Sequence, residues 1–154
     1  MNKFIPIFCL TILITACSPV NELDKSVWQR ASTQPVPLAE LFPQSETLCV
    51  QSPYMDGETM AKHTKQNIPF YLQFNNMANE NEHIFWLFDR EKNLQNRVRV
   101  ARINASFNKQ TGAMPEQAKL CYPVATTCVA ITEKLAEFSS AEFQSCSVSG
   151  SLKL

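Results

Sequence analysis

Six cysteines, two histidines and a short run of arginines carry most of the reactive chemistry in this 154-residue chain. A thiol can bind metal, and Cys49, Cys121, Cys128 and Cys146 are the natural set to test. No C-x-x-C occurs among them, Cys121 and Cys128 stand seven apart, and only His63 and His83 could join them. That spacing does not suit zinc, and no metal is expected. His63 lies in a polar stretch and His83 opens an apolar run, neither with a serine or free thiol nearby to activate. Glu80, Glu82 and Asp89 flank the Phe85-Trp86 pair. Two carboxylates can do acid–base work, but a charged hairpin rim explains these more simply. No nucleophile elbow, zincin motif, phosphate loop or dinucleotide fingerprint is present. Neither an enzyme nor a cofactor is expected.

The charge pattern suits binding better. Arg90, Lys92, Arg97, Arg99 and Arg102 fall within thirteen residues, opposed by Asp89 and Glu91. Arg97-Val98-Arg99-Val100 alternates, so a strand here puts both arginines on one face. Guanidinium groups make bidentate contacts with carboxylates, and arginine is enriched where interfaces are tightest. Arg97 and Arg99 are therefore candidate partner-binding residues. Tyr54 and Met55, in a long polar stretch over 54–67, are candidate contacts beside them. The plainer alternative is a solvated strand face that resists edge pairing.

Cys9 and Cys17 belong to a different pattern. Asn2-Lys3 is a short cationic start, Phe4 to Ile14 is mostly apolar, and Ile14-Thr15-Ala16-Cys17 follows. This resembles the signal peptide and lipobox of bacterial lipoproteins. The apolar run has secretory-signal length and falls short of the roughly 20 residues of a membrane span. Isoleucine stands where leucine is most usual. The resemblance implies cleavage before Cys17, a diacylglycerol on its thiol, and in most cases an N-acyl chain. Several acyl chains hold a protein on a bilayer far better than one. Ser18, where an aspartate signals inner-membrane retention in such proteins, implies a periplasm-facing outer-membrane location.

Residues 1–16 then leave, and 138 remain, a size suited to one domain with a real core. Lysine and arginine total 14 and aspartate and glutamate 14. Lys3 departs with the signal, so the mature balance is about −1. This leaves no footprint for nucleic acid and no polybasic segment for anionic lipid. Four cysteines in an exported domain argue for two disulfides, with three connectivities open. Cys49–Cys121 with Cys128–Cys146 is favoured, because Leu48-Cys49-Val50 and Leu120-Cys121-Tyr122 are similar strand-like runs that could face each other. Buried free thiols are the alternative.

Elements must place these residues. Residues 17–35 suggest a lipidated tether, with Trp28 docking on a single β-rich domain over 36–154. Leu38, Leu41 and Phe42 share a helical face in 36–42, with Pro37 in the first turn. Strands are expected at 47–51, at 68–74, at 83–88, from Arg97 toward Ile103, at 119–122, at 128–131 and at 142–148. A hairpin joins 68–74 to 83–88. The run His83 to Phe88 is apolar almost throughout, which suits a strand covered on both faces. Loops are expected at 54–67 and 105–116, and a helical turn at 132–140, capped by Thr132 with Leu135 and Phe138 inward. About seven short strands with a few helical turns define an all-β, antiparallel β-sandwich. Three glycines are few for such a fold, so its turns must use Asn, Asp and Pro.

The motif order also resembles a group of small enterobacterial-type lipoproteins, the type VI secretion immunity proteins of the periplasm. The matching parts are the Ile14–Cys17 lipobox, Leu48-Cys49-Val50, Pro69 to Phe74, and Leu120-Cys121-Tyr122-Pro123, about a third of the mature chain. The resemblance implies a Cys49–Cys121 bridge and a toxin effector as partner. The stretch between Arg90 and Pro115, and Cys128 with Cys146, depart from that pattern. The functional expectation is a lipid-anchored binding protein, in its sharpest form an immunity protein. The alternative is an accessory lipoprotein of an envelope assembly.

Overall fold

The computed structural model describes residues 20–74, 76–101, 106–107, 120–134 and 139–146. The expected signal segment, Cys17, Arg102, Leu135, Phe138 and most of the 105–116 stretch lie outside these residues. The first half of the chain forms β1 (Asn21–Glu22), α1 (Lys25–Ala31), β2 (Val36–Pro37), α2 (Leu38–Leu41), β3 (Thr47–Gln51), α3 (Gly57–Thr64) and α4 (Phe70–Phe74). The second half forms β4 (Glu82–Phe88), β5 (Leu94–Ala101), β6 (Ser106–Phe107), β7 (Cys121–Pro123), β8 (Thr127–Lys134) and β9 (Ser139–Ser145).

The strands make two sheets, in the orders β1-β5-β4-β3-β7 and β2-β8-β9-β6. β4 lies at the centre of the first, antiparallel to β3 and β5, with Cys49 opposite Trp86 and Phe85 opposite Val98. β1 joins β5 and β6 joins β9 in parallel. The fold is mainly β, with the two sheets sandwiched as expected.

Strand alternation divides the apolar residues into two layers. Leu48, Val50, Phe85, Leu87, Val98 and Val100 point from the first sheet toward Val36, Val129 and Ala141 of the second. Cys49, Ile84, Trp86 and Phe88 point the other way, toward Met60 of α3 and Leu72 of α4. β4 is therefore buried along its whole length, as its unbroken apolar run implies. Each such large side chain contributes about 1.5–3 kcal/mol on burial.

Both disulfides form as favoured. Cys49 and Cys121 are register partners across β3 and β7, with Cα atoms 4.0 Å apart. Cys128 of β8 joins Cys146, just past β9. The Cys146 N–H also donates to the Thr126 carbonyl at 2.9 Å.

The stretch expected as a tether is folded from Val20 onward. Asp24 caps α1 by accepting the Ser26 N–H at 2.8 Å, and Val27, Trp28 and Ala31 are buried. Trp28 docks on the inter-sheet core, as anticipated.

Five expectations about elements are corrected. The loop expected at 105–116 holds β6, Ser106–Phe107, paired with β9. Residues 68–74 are not a strand: both neighbours of β4 are already β3 and β5, and Pro69 has no N–H for a ladder. Phe70–Phe74 instead forms a helical turn that buries Leu72, with Ile68 buried just ahead of it, and the hairpin partner of β4 is β5. The loop expected at 54–67 holds α3, capped by Asp56, which accepts the Thr59 N–H at 2.8 Å. Hydrogen bonds from Thr59 hold the Asp56 carboxyl below its ordinary range. In 36–42, Val36–Pro37 pairs with β8 and only Leu38–Leu41 is helical, Pro37 being its cap. The helical turn expected at 132–140 gives way at both ends: Thr132 lies within β8 and Ser139 opens β9.

Gly57 is required by the packing of α3 on α4. A Cβ there would lie 2.0 Å from the Leu72 carbonyl oxygen, a backbone atom that cannot swing away. Gly57→Ala is expected to cost about 2–3 kcal/mol through overpacking. A lowered urea midpoint at unchanged slope checks this.

Candidate functional site

Gln51 organises the candidate site from below. Its side chain is fully buried. Its Oε1 accepts the Trp86 Nε1–H at 2.7 Å. Its Nε2 donates to the Met55 carbonyl at 2.7 Å and to the Asn76 carbonyl at 2.6 Å. One amide thus ties two loops to the first sheet, and stranding any of these groups would cost about 1–3 kcal/mol.

Those loops present Tyr54 and Met77. The Tyr54 N–H donates to the Ala78 carbonyl, and the Ala78 N–H to the Met55 carbonyl. Tyr54 has φ 62°, a left-handed backbone that is unusual for a bulky side chain. Such strain costs about 1–3 kcal/mol and persists where its surroundings impose it, commonly at binding sites. The ring is 64% exposed, and its hydroxyl donates to Glu80 Oε2 at 2.8 Å.

Tyr54 and Met77 share an open cleft of about 630 Å³ with Glu80, Glu82, Arg99 and Ala101. Arg99 Nε lies 2.8 Å from Glu82 Oε2, and 41% of the arginine side chain remains exposed. Glu82 also accepts from Asn79 and is nearly buried. The cleft therefore has an aromatic and thioether wall beside a guanidinium held in place by a carboxylate. This suits a protein segment that offers an apolar anchor and hydrogen-bonding groups.

Arg97 and Arg99 share a face of β5, as the alternation implies, but they line different clefts. The Arg97 guanidinium stands over the Trp86 ring, 5.3 Å from its centroid, and Nη1 donates to Asn76 Oδ1. It walls a smaller cleft of about 120 Å³ with Tyr71, Leu94 and Asn96. Cation–π stacking of this kind contributes about 0.5–2 kcal/mol. Arg97 thus braces the loop that carries Met77, while Arg99 belongs to the Tyr54 cleft. Met55, the other loop candidate, is half-buried against the outer layer.

The remaining sequence candidates have local structural work. Asp89 accepts from Asn93 and Gln95 and closes the β4–β5 turn. His83 is buried in β4 and His63 lies in the last turn of α3. All four described cysteines are bridged. The sequence reading missed Gln51 and Met77, since nothing in Thr47 to Gln51 distinguishes a buried amide from a solvated strand end. It also missed the exposure of Phe70, Tyr71 and Phe74. The signal for these was Pro69 followed by Phe70 and Phe74 at helical spacing.

The chain matches no protein-family model, and comparison with curated proteins and with solved structures returned no match.

Proposed function

We propose that this chain is a periplasm-facing lipoprotein, anchored through acylated Cys17 in the outer membrane, that binds a protein partner at the Tyr54–Arg99 cleft. In its sharpest form it is an immunity protein that neutralises a toxin effector. The observation that carries the binding reading is Tyr54 itself: strained, exposed, and held beside Met77 and Arg99. Tyrosine, methionine and arginine are the types enriched at interface cores. The Ile14–Cys17 lipobox supports the anchor.

The test is competition between kin. A deletion strain is expected to be killed by its parent, and plasmid-borne wild-type protein to restore survival. The Tyr54→Ala/Arg99→Ala pair is expected to weaken effector binding at least about tenfold and to fail in protection at normal expression. Undiminished survival of the deletion strain sinks the immunity reading. Co-purification with an envelope assembly, with a permeability defect on deletion, would replace it by the accessory-lipoprotein reading.

A further inference from the structure

Phe70, Tyr71 and Phe74 are 73%, 64% and 58% exposed on the single short helix α4. The Phe70 and Phe74 rings contact each other, with centroids 4.4 Å apart. Leu72, between them, is buried, so α4 is pinned by one side chain and displays three aromatics. No residue from Gln66 to Asn79 is charged. A bare aromatic face of this kind needs a cover.

The path of the chain says what covers it. β1 runs parallel to β5, with Asn21 opposite Val98 and Glu22 opposite Arg99. Val20 packs on the same outer layer that holds Leu72. The chain therefore reaches the fold near Arg97, and Tyr71 lines the small cleft with Arg97, Asn96 and Leu94. Asn67, just ahead of α4, bridges to Asn93, just ahead of β5. Three residue steps separate Val20 from Cys17, a span of at most about 11 Å. If Cys17 carries lipid, its glycerol lies at headgroup level, and this leash holds α4 within the interfacial zone. No room remains there for a folded partner about 800 Å² in footprint.

We infer that Phe70, Tyr71 and Phe74 form a bilayer-docking face, seated at the headgroup–acyl boundary of the membrane that holds the Cys17 lipid. This rests on the lipoprotein reading of Cys17. Aromatic rings favour that boundary, and amphipathic faces sink about 5–10 Å into it. The absence of charge suits neutral headgroups and agrees with a mature balance near −1. Along β5 the Tyr54–Arg99 cleft lies toward the Ala101 end, with Arg99 about 17 Å and Ala101 about 23 Å from Leu94.

Quenching by brominated lipid tests this. Native Trp28 and Trp86 are 7% and 0% exposed and give a constant background. The full acylated chain is placed in phosphatidylcholine vesicles, plain or brominated near the headgroups. Tyr71→Trp and Phe74→Trp supply two exposed reporters, and Glu142→Trp, on the outward face of β9, is the control. In plain vesicles the added emission of both reporters is expected to lie to the blue of the control's, and brominated lipid is expected roughly to halve it while leaving the control unchanged. Reporters quenched no more than the control would overturn the docking face and leave the lipoprotein reading standing. A mature protein whose Cys17 carries no acyl mass would overturn both.

Discussion

Replacing Cys49 and Cys121 together by alanine is expected to lower the unfolding free energy by about 4 kcal/mol. The bridge spans 72 residues of sequence, against 18 for Cys128–Cys146. In the chain-entropy account the shorter loop is worth only about 3 kcal/mol. Position adds to the difference. β7 has three residues and, among the described residues, is an edge strand of the first sheet, paired to β3. The chain passes from it through a 3-10 turn, Val124–Thr126, into β8 of the second sheet. Cys49–Cys121 therefore holds the edge of one sheet at the point where the chain crosses to the other. Cys49 is also fully buried in the layer with Met60 and Trp86, and alanine would leave a void there at further cost. Denaturant unfolding of the oxidised proteins makes the comparison. A larger loss from Cys128→Ala/Cys146→Ala would show that chain crossing is not what this bridge secures.

Cys17→Ser is expected to abolish acyl labelling and to remove the protein from the outer-membrane fraction. The proposed anchor is a thioether to diacylglycerol, which serine does not form. The sequence has no charge excess to hold it on lipid instead, with 14 basic and 14 acidic residues. Each methylene withdrawn from the bilayer forfeits about 0.8 kcal/mol. The three aromatics of α4 do not replace two or three acyl chains. Labelled palmitate incorporation and fractionation read the result directly. A variant that stays membrane-bound and still carries acyl label would remove the basis for the anchor. This experiment is independent of the disulfide comparison, because residues 20–31 pack into the fold through Val20, Val27, Trp28 and Ala31, all beyond Cys17.

The two experiments bear on one arrangement. The bridge keeps the edge of the first sheet closed, and the outer face of that sheet supports α3, α4 and the two loops tied by Gln51. Those loops carry Tyr54 and Met77, and β5 carries Arg99. In the proposed anchoring, three residue steps from Cys17 to Val20 set how far that cleft can stand from lipid.

Strand alternation and burial were legible in the residues themselves. The apolar run from His83 to Phe88 announces a strand covered twice, and Arg97-Val98-Arg99-Val100 announces two arginines on one face, because a strand's period of two is a local property. The similar runs around Cys49 and Cys121 pointed to their pairing, since oxidation needs only two strands brought side by side. Pairing vacancies are not local. Ile68 to Phe74 has the composition of a strand, yet Phe70–Phe74 is helical because β3 and β5 already occupy both edges of β4. Asn21 to Ala31 has the composition of a linker, yet it folds because Trp28 finds the space between the sheets. The sharing of one cleft by Tyr54 and Arg99, and the separation of Arg97 from both, follow from loops held by Gln51 and Trp86, which lie 35 residues apart. A side chain's own preferences determine the face it takes on a strand; the company it keeps there is decided only when distant segments compete for the same buried space.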